Sequence, residues 1–107
     1  MLDISGYKVA QVIVMARELT RAEGELRGFL DRLTEEELTS LVAVMWIGRG
    51  SFEAEELEDA IATAREEATT PTADYLLGTP HLSDNLEAGL EALGISASET
   101  EEDVLGR

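Results

Sequence analysis

Between Leu41 and Leu57 the chain reads LVAVMWIGRGSFEAEEL, and this run constrains the fold more than any other. An unbroken apolar stretch meets Gly-Arg-Gly and passes at once into an acidic segment. That is the pattern of a helix, a tight glycine-pivoted turn and a second helix. The run also carries the second half of a calcium-loop pattern without the first. Such a loop needs oxygen ligands at positions 1, 3 and 5, Gly at 6, an apolar residue at 8 and Glu at 12. With Gly50 at position 6, Phe52 and Glu56 fall at 8 and 12, but the early ligand positions hold Met45, Ile47 and Arg49. A thioether, an alkyl chain and a guanidinium do not hold a divalent ion, so no metal is expected here.

The 107 residues suffice for one domain and are too few for two. The absence of cysteine excludes a disulfide framework, a thiolate zinc site and a cysteine nucleophile, and fits a reducing, cytoplasmic setting. The longest uninterrupted apolar stretch, from Leu41 to Ile47, is far short of the ~20 residues that span a bilayer. The N-terminus lacks the basic start of a signal peptide, and no membrane association is expected.

The net charge of −15 is unevenly distributed. Residues 1–33 hold five acids (Asp3, Glu18, Glu23, Glu25, Asp31) and five bases (Lys8, Arg17, Arg21, Arg27, Arg32), and so are neutral. Residues 34–107 hold eighteen acids against Arg49, Arg65 and Arg107, and carry the whole −15. Nucleic acid binding requires cations that displace condensed counterions, so contact with DNA or RNA is not expected. The acidic surface reads first as a solubilising shell. Its sharper reading is a surface for a basic protein, or a mimic of nucleic acid charge.

Helical spacing recurs along the chain. Val9, Val12, Ile13, Ala16 and Leu19, with Ser5 as a cap, predict a first helix over residues 7–21 that Gly24 ends. Leu26, Phe29, Leu30 and Leu33 predict a short second helix, weakened by Gly28. Thr34 with Glu35, Glu36 and Glu37 forms a capping box that opens a third helix over 35–47. The apolar arc of that helix, from Leu38 through Leu41, Val42, Met45 and Trp46 to Val44 and Ile47, is too wide for one neighbour, which makes it the central helix. Gly48 suits the left-handed position that terminates it. Leu57, Ile61 and Ala64 predict a fourth helix over 53–67, and 73–77 forms a short piece before Gly78. Thr79 as cap and Pro80 in the first turn open a last helix carrying Leu82, Leu86, Leu90 and Leu93, closed by Gly94. The expected fold is all-α, a single small bundle of four main helices plus short helical pieces. Residues 1–95 form this domain, and the acid-rich 96–107 form a disordered tail.

Candidate sites are few. His81 is the only His, with Asp84 three positions on, and lacks the further groups that a base or a metal site requires. Asp84, Glu87 and Glu91 share one helical face and read as ordinary surface. There is no Gly-x-Ser-x-Gly elbow, and Gly48-Arg49-Gly50 lacks the Lys-Ser/Thr of a phosphate loop. No enzyme activity, catalytic residue or cofactor is expected. Trp46, Phe52 and Tyr75 suit a core. Arg49 is the sole cation between Arg32 and Arg65 and sits on a turn where a side chain must project. It either caps the third helix, pairs with Glu53 or Asp74, or anchors a partner, as Arg and Trp do in interface hot spots.

Three strings, LVAVMWIGRGSF at 41–52, TADYLLGTP at 72–80 and ELRGFLDRLTEEE at 25–37, resemble a bacterial family catalogued as domain of unknown function 3775. The resemblance covers most of residues 4–94. It implies a bacterial helical protein and brings with it no activity, cofactor or substrate. Between Arg21 and Glu25 the chain departs from the pattern, since family members often carry a longer acidic insertion there.

The expected function is a non-enzymatic helical module for protein–protein interaction, contacting a protein or a second copy of itself through Trp46, Arg49, Asp74 and Tyr75. Two alternatives are an acidic charge-mimic inhibitor of a nucleic-acid-binding protein, and a small-molecule sensor with an apolar pocket near Trp46 and Tyr75.

Overall fold

The computed structural model describes residues 2–67 and 71–95. They form an all-α domain: α1 (Gly6–Arg17), α2 (Leu19–Asp31), α3 (Glu35–Gly48), a 3-10 turn (Ala54–Glu56), α4 (Leu57–Glu66), α5 (Thr72–Leu77) and α6 (Leu82–Ala92). The expected acidic tail at 96–107 lies outside the described residues.

The capping box at Thr34 forms as the sequence requires. Glu37 N–H donates to Thr34 Oγ1 at 3.1 Å, and Thr34 N–H donates to Glu37 Oε1 at 2.9 Å. From there every residue between Leu38 and Ile47 is buried. A helix buried on all sides needs neighbours on all sides, and α3 packs against α4, α5 and α6. Two polar side chains lie in this buried stretch and both are satisfied. Thr39 Oγ1 donates to the Glu35 and Glu36 carbonyls, and Ser40 Oγ accepts the Asp3 amide at 3.0 Å, fastening the N-terminal segment to α3.

The first helix breaks earlier than expected, at Glu18 rather than Gly24. Glu18 leaves helical geometry (φ −113°, ψ 40°) and its N–H turns to the Met15 carbonyl. Gly24 and Gly28 then lie inside α2. The break costs a few helical hydrogen bonds at ~1 kcal/mol each. It lets α2 pack on α1 and bury Leu26 and Leu30 completely, a gain of ~1.5–3 kcal/mol per side chain. Tertiary burial outweighs the local glycine signal, and α2 becomes a main helix rather than a short one.

Gly48 does not take the left-handed position assigned to it. It is the last residue of α3, and Gly50 (φ +90°) makes the turn. Gly50 N–H donates to Ile47 O and Ser51 N–H to Trp46 O, the two bonds of a Schellman ending with Arg49 as C-cap. Gly94 (φ +80°) closes α6 in the same way, through Glu91 and Leu90 carbonyls. Gly48 has a different task. A Cβ built on it would lie 1.7 Å from the Asn85 carbonyl oxygen, and one on Gly89 would lie 2.1 Å from the Val44 carbonyl oxygen. Val44 faces Gly89 and Gly48 faces Asn85, so α3 and α6 cross with opposite directions and their backbones touching.

The other face of α6 is covered by α1. Ile4, Val9, Val12 and Ile13 are buried in the same core as Leu86 and Leu90. The start of α6 also departs from expectation. Thr79 Oγ1 donates back to the Tyr75 carbonyl at 2.7 Å, and exposed His81, left-handed at φ 58°, precedes Leu82 as the N-cap without a side-chain bond.

Among the described residues, ion pairs join elements at Lys8–Glu37 (α1 to α3, 2.5 Å), Arg17–Glu87 (α1 to α6, 2.5 Å) and Arg27–Asp74 (α2 to α5, 2.7 Å). The Lys8 ammonium, then the Thr34 amide, hold the Glu37 carboxyl below its ordinary value of 4.5, with partial burial acting in the opposite sense. Because the folded value is the lower one, ionised Glu37 stabilises the fold above the unfolded value. That contribution fades as the pH falls through the folded value. Glu37→Gln is therefore expected to melt below the parent at neutral pH, and the two melting temperatures to converge in acid. A gap that stays constant from neutral pH into acid contradicts this.

Candidate functional site

The α3–α4 turn is built around the Trp46 indole. Trp46 sits in the last turns of α3 and is 8% exposed. The Schellman ending at Gly50 reverses the chain, so Phe52 comes back to stack on the indole, with centroids 5.8 Å apart and planes inclined by 21°. This is an offset aromatic pair that fastens the turn to the helix it leaves. Arg49, on the same turn, places its Cζ 5.9 Å from the indole centroid, over the ring face. Its Nε–H donates to Ser51 Oγ at 2.9 Å, which holds the guanidinium in that position.

The third wall comes from α5, 29 residues further along. Trp46 Nε1–H donates to the Tyr75 hydroxyl at 3.0 Å. This satisfies a donor that would otherwise be nearly buried without a partner, a loss of about 1–3 kcal/mol. Tyr75 itself is 38% exposed. Its hydroxyl thus meets the indole while part of the side chain faces solvent.

Of the four residues singled out from the sequence, Trp46, Arg49 and Tyr75 converge on one indole. Asp74 does not join them, because its carboxylate is paired with Arg27 of α2. Among the described residues no carboxylate pairs with Arg49, so pairing with Glu53 or Asp74 is absent there. Arg49 does end the helix, through its backbone N–H to the Met45 and Ile47 carbonyls. Two participants escaped sequence reading. Ser51 gives no signal of its own, and Arg27 looked like one charge among many on a neutral segment.

Glu56, the would-be last calcium ligand, is the last residue of the 3-10 turn, and its carboxylate accepts the Glu53 amide at 2.8 Å. Among the described residues no group of three His, Cys, Asp or Glu side chains is placed to hold a metal ion, and no helix is long and apolar enough to cross a membrane. His81 is exposed at the start of α6.

No curated protein and no solved structure matches the chain. A family model described as "Protein of unknown function (DUF3775)" matches residues 23–95. The match takes in most of α2 and all of α3 to α6, including Trp46, Arg49 and Tyr75, and leaves α1 outside. With more than half its length matched in this way, the chain belongs to the DUF3775 family.

Proposed function

We propose that this is a non-enzymatic interaction module of a bacterial cytoplasm, which contacts a protein partner, or a second copy of itself, through the α3–α4 turn and the adjoining face of α5. The observation that carries this reading is Arg49. In a chain of charge −15, a projecting cation adds nothing to solubility, and among the described residues no carboxylate neutralises it. It is held over an indole instead, a geometry that leaves the guanidinium ordered and open to solvent. Ordered Arg beside Trp and Tyr is the composition of interface hot spots, where little side-chain entropy remains to be lost on binding.

Arg49→Glu tests the proposal. The side chain is exposed and its stacking is worth ~0.5–1 kcal/mol, so helicity and melting temperature are expected to change little. Association is expected to weaken by ~1–3 kcal/mol. Sedimentation equilibrium reads self-association, and quantitative capture from the native bacterium compares the parent with the variant for other partners. A variant that folds and keeps every partner at parental affinity refutes the proposed surface. Unfolding of the variant would assign Arg49 to the fold.

A further inference from the structure

The groups around Trp46 retain two sets of hydrogen-bond donors, and their chemistry narrows what the surface holds. Indole Nε1 has only a hydrogen to give. In its 3.0 Å contact the Tyr75 oxygen is therefore the acceptor, and the hydroxyl hydrogen is still available. Among the described residues it meets no acceptor. Arg49 commits its Nε–H to Ser51, and its terminal N–H groups likewise meet no acceptor among the described residues. One indole thus carries a hydroxyl donor at its edge and a guanidinium over its face, with both side chains exposed. These two donors, placed at the edge and over the face of one indole, offer hydrogen bonds to an oxygen acceptor, and an anionic one bonds about twice as strongly as a neutral one.

The charge of the molecule selects among anions. A phosphate carries roughly −1.5 to −2 and a carboxylate a single charge, so a −15 protein repels the phosphate more strongly. The turn leads directly into exposed Glu53, Glu55 and Asp59, which favour cations beside the anion. Building on the surface proposed above, we infer that Arg49 and the Tyr75 hydroxyl together bind one acidic side chain of a partner peptide. Basic residues flank that side chain, and an apolar neighbour covers the exposed part of the Tyr75 ring. The partner segment is neutral or positive overall, with a single carboxylate at its centre.

Trp46 is the only Trp, so the full-length ¹⁵N-labelled chain gives one indole N–H resonance, located at the site. The probe is a capped pentapeptide of lysine, leucine, glutamate, leucine and lysine, compared with its glutamine counterpart and with inorganic phosphate at constant ionic strength. The glutamate peptide is expected to shift the indole resonance saturably. The glutamine peptide should bind roughly tenfold more weakly or less, as loss of a charge-assisted bond implies. Tyr75→Phe and Arg49→Gln, each confirmed folded by circular dichroism, are each expected to weaken the glutamate peptide by about the same factor. Equal binding of the glutamine peptide, equal or tighter binding of phosphate, or parental binding by both variants overturns the assignment. Absence of a saturable shift with the glutamate peptide also overturns it. The wider surface reading then stands or falls separately, on whether Arg49→Glu retains its partners.

Discussion

A chain that begins at residue 23, where the family match begins, is expected to be unfolded. Removing residues 1–22 takes away Ile4, Val9, Val12 and Ile13, which are buried to 4% exposure or less. At ~1.5–3 kcal/mol for each side chain, the loss is about 6–12 kcal/mol. A whole domain of this size is stable by only ~5–15 kcal/mol. The two ion pairs lost with the same segment, part-buried Lys8–Glu37 and exposed Arg17–Glu87, add about 1 kcal/mol each and do not decide the outcome. The truncated chain also bares the faces of α2 and α6 that α1 covers, so it should associate as well as unfold. Far-ultraviolet circular dichroism and a thermal melt check this. A cooperative melt with parental helicity per residue would show that α1 is an accessory to the matched region and not part of its core.

Gly48→Ala is the second large effect, and it takes its force from comparison with the same change elsewhere. At Gly48 the new methyl group would enter the Asn85 carbonyl, a backbone atom that moves only if α6 moves. Overpacking of a core typically costs 1–3 kcal/mol and more where backbone must shift, so we expect a loss of ~3 kcal/mol or more. For a domain of about this length that lowers the melting temperature by ~12 °C or more. Gly24 and Gly28 also lie within a helix, but a Cβ there meets nothing within 4 Å. Alanine at either should stabilise by ~0.5–1 kcal/mol, through helix propensity. Gly89→Ala is expected to resemble Gly48→Ala. The double variant should cost less than the sum, because one separation of the helices relieves both clashes. Urea denaturation of the five proteins and the parent decides the point. A Gly48→Ala variant within 1 kcal/mol of the parent would mean that the crossing is not close-packed.

These two cases also mark where the sequence was legible. The start of α3 could be read because Thr34 and Glu37 are three residues apart and their reciprocal bonds are local. The centrality of α3 could be read because its apolar arc exceeds one neighbour. Gly94 was assigned correctly as a terminator, since the last apolar residue of α6 precedes it. Gly48 was not, because Gly-Arg-Gly offers two candidates and the choice depends on α6, some 40 residues away in the chain. The break at Glu18 left no mark at all, for neither glycine nor proline stands there. At the candidate site Trp46 and Arg49 could be picked out by their isolation. The bond from Trp46 to Tyr75 could not be derived, because nothing in either residue's neighbourhood encodes a pairing across 29 positions. Arg27–Asp74 was missed for a related reason: exposed ion pairs leave no periodic trace.

The ion pairs Lys8–Glu37, Arg17–Glu87 and Arg27–Asp74 tie together two regions of unequal charge. In each, a base from the neutral residues 1–33 meets an acid from residues 34–107, which carry the entire net charge. Individual bases of that neutral segment are thus held at fixed places against a polyanion by the apolar contacts of α1 and α2. Two of these three cations, Lys8 and Arg17, lie before residue 23. A relative that shares the matched region but begins with a different helix would set other charges beside the positions of Glu37 and Glu87, so the local field on that side of the bundle is written by a segment outside the match.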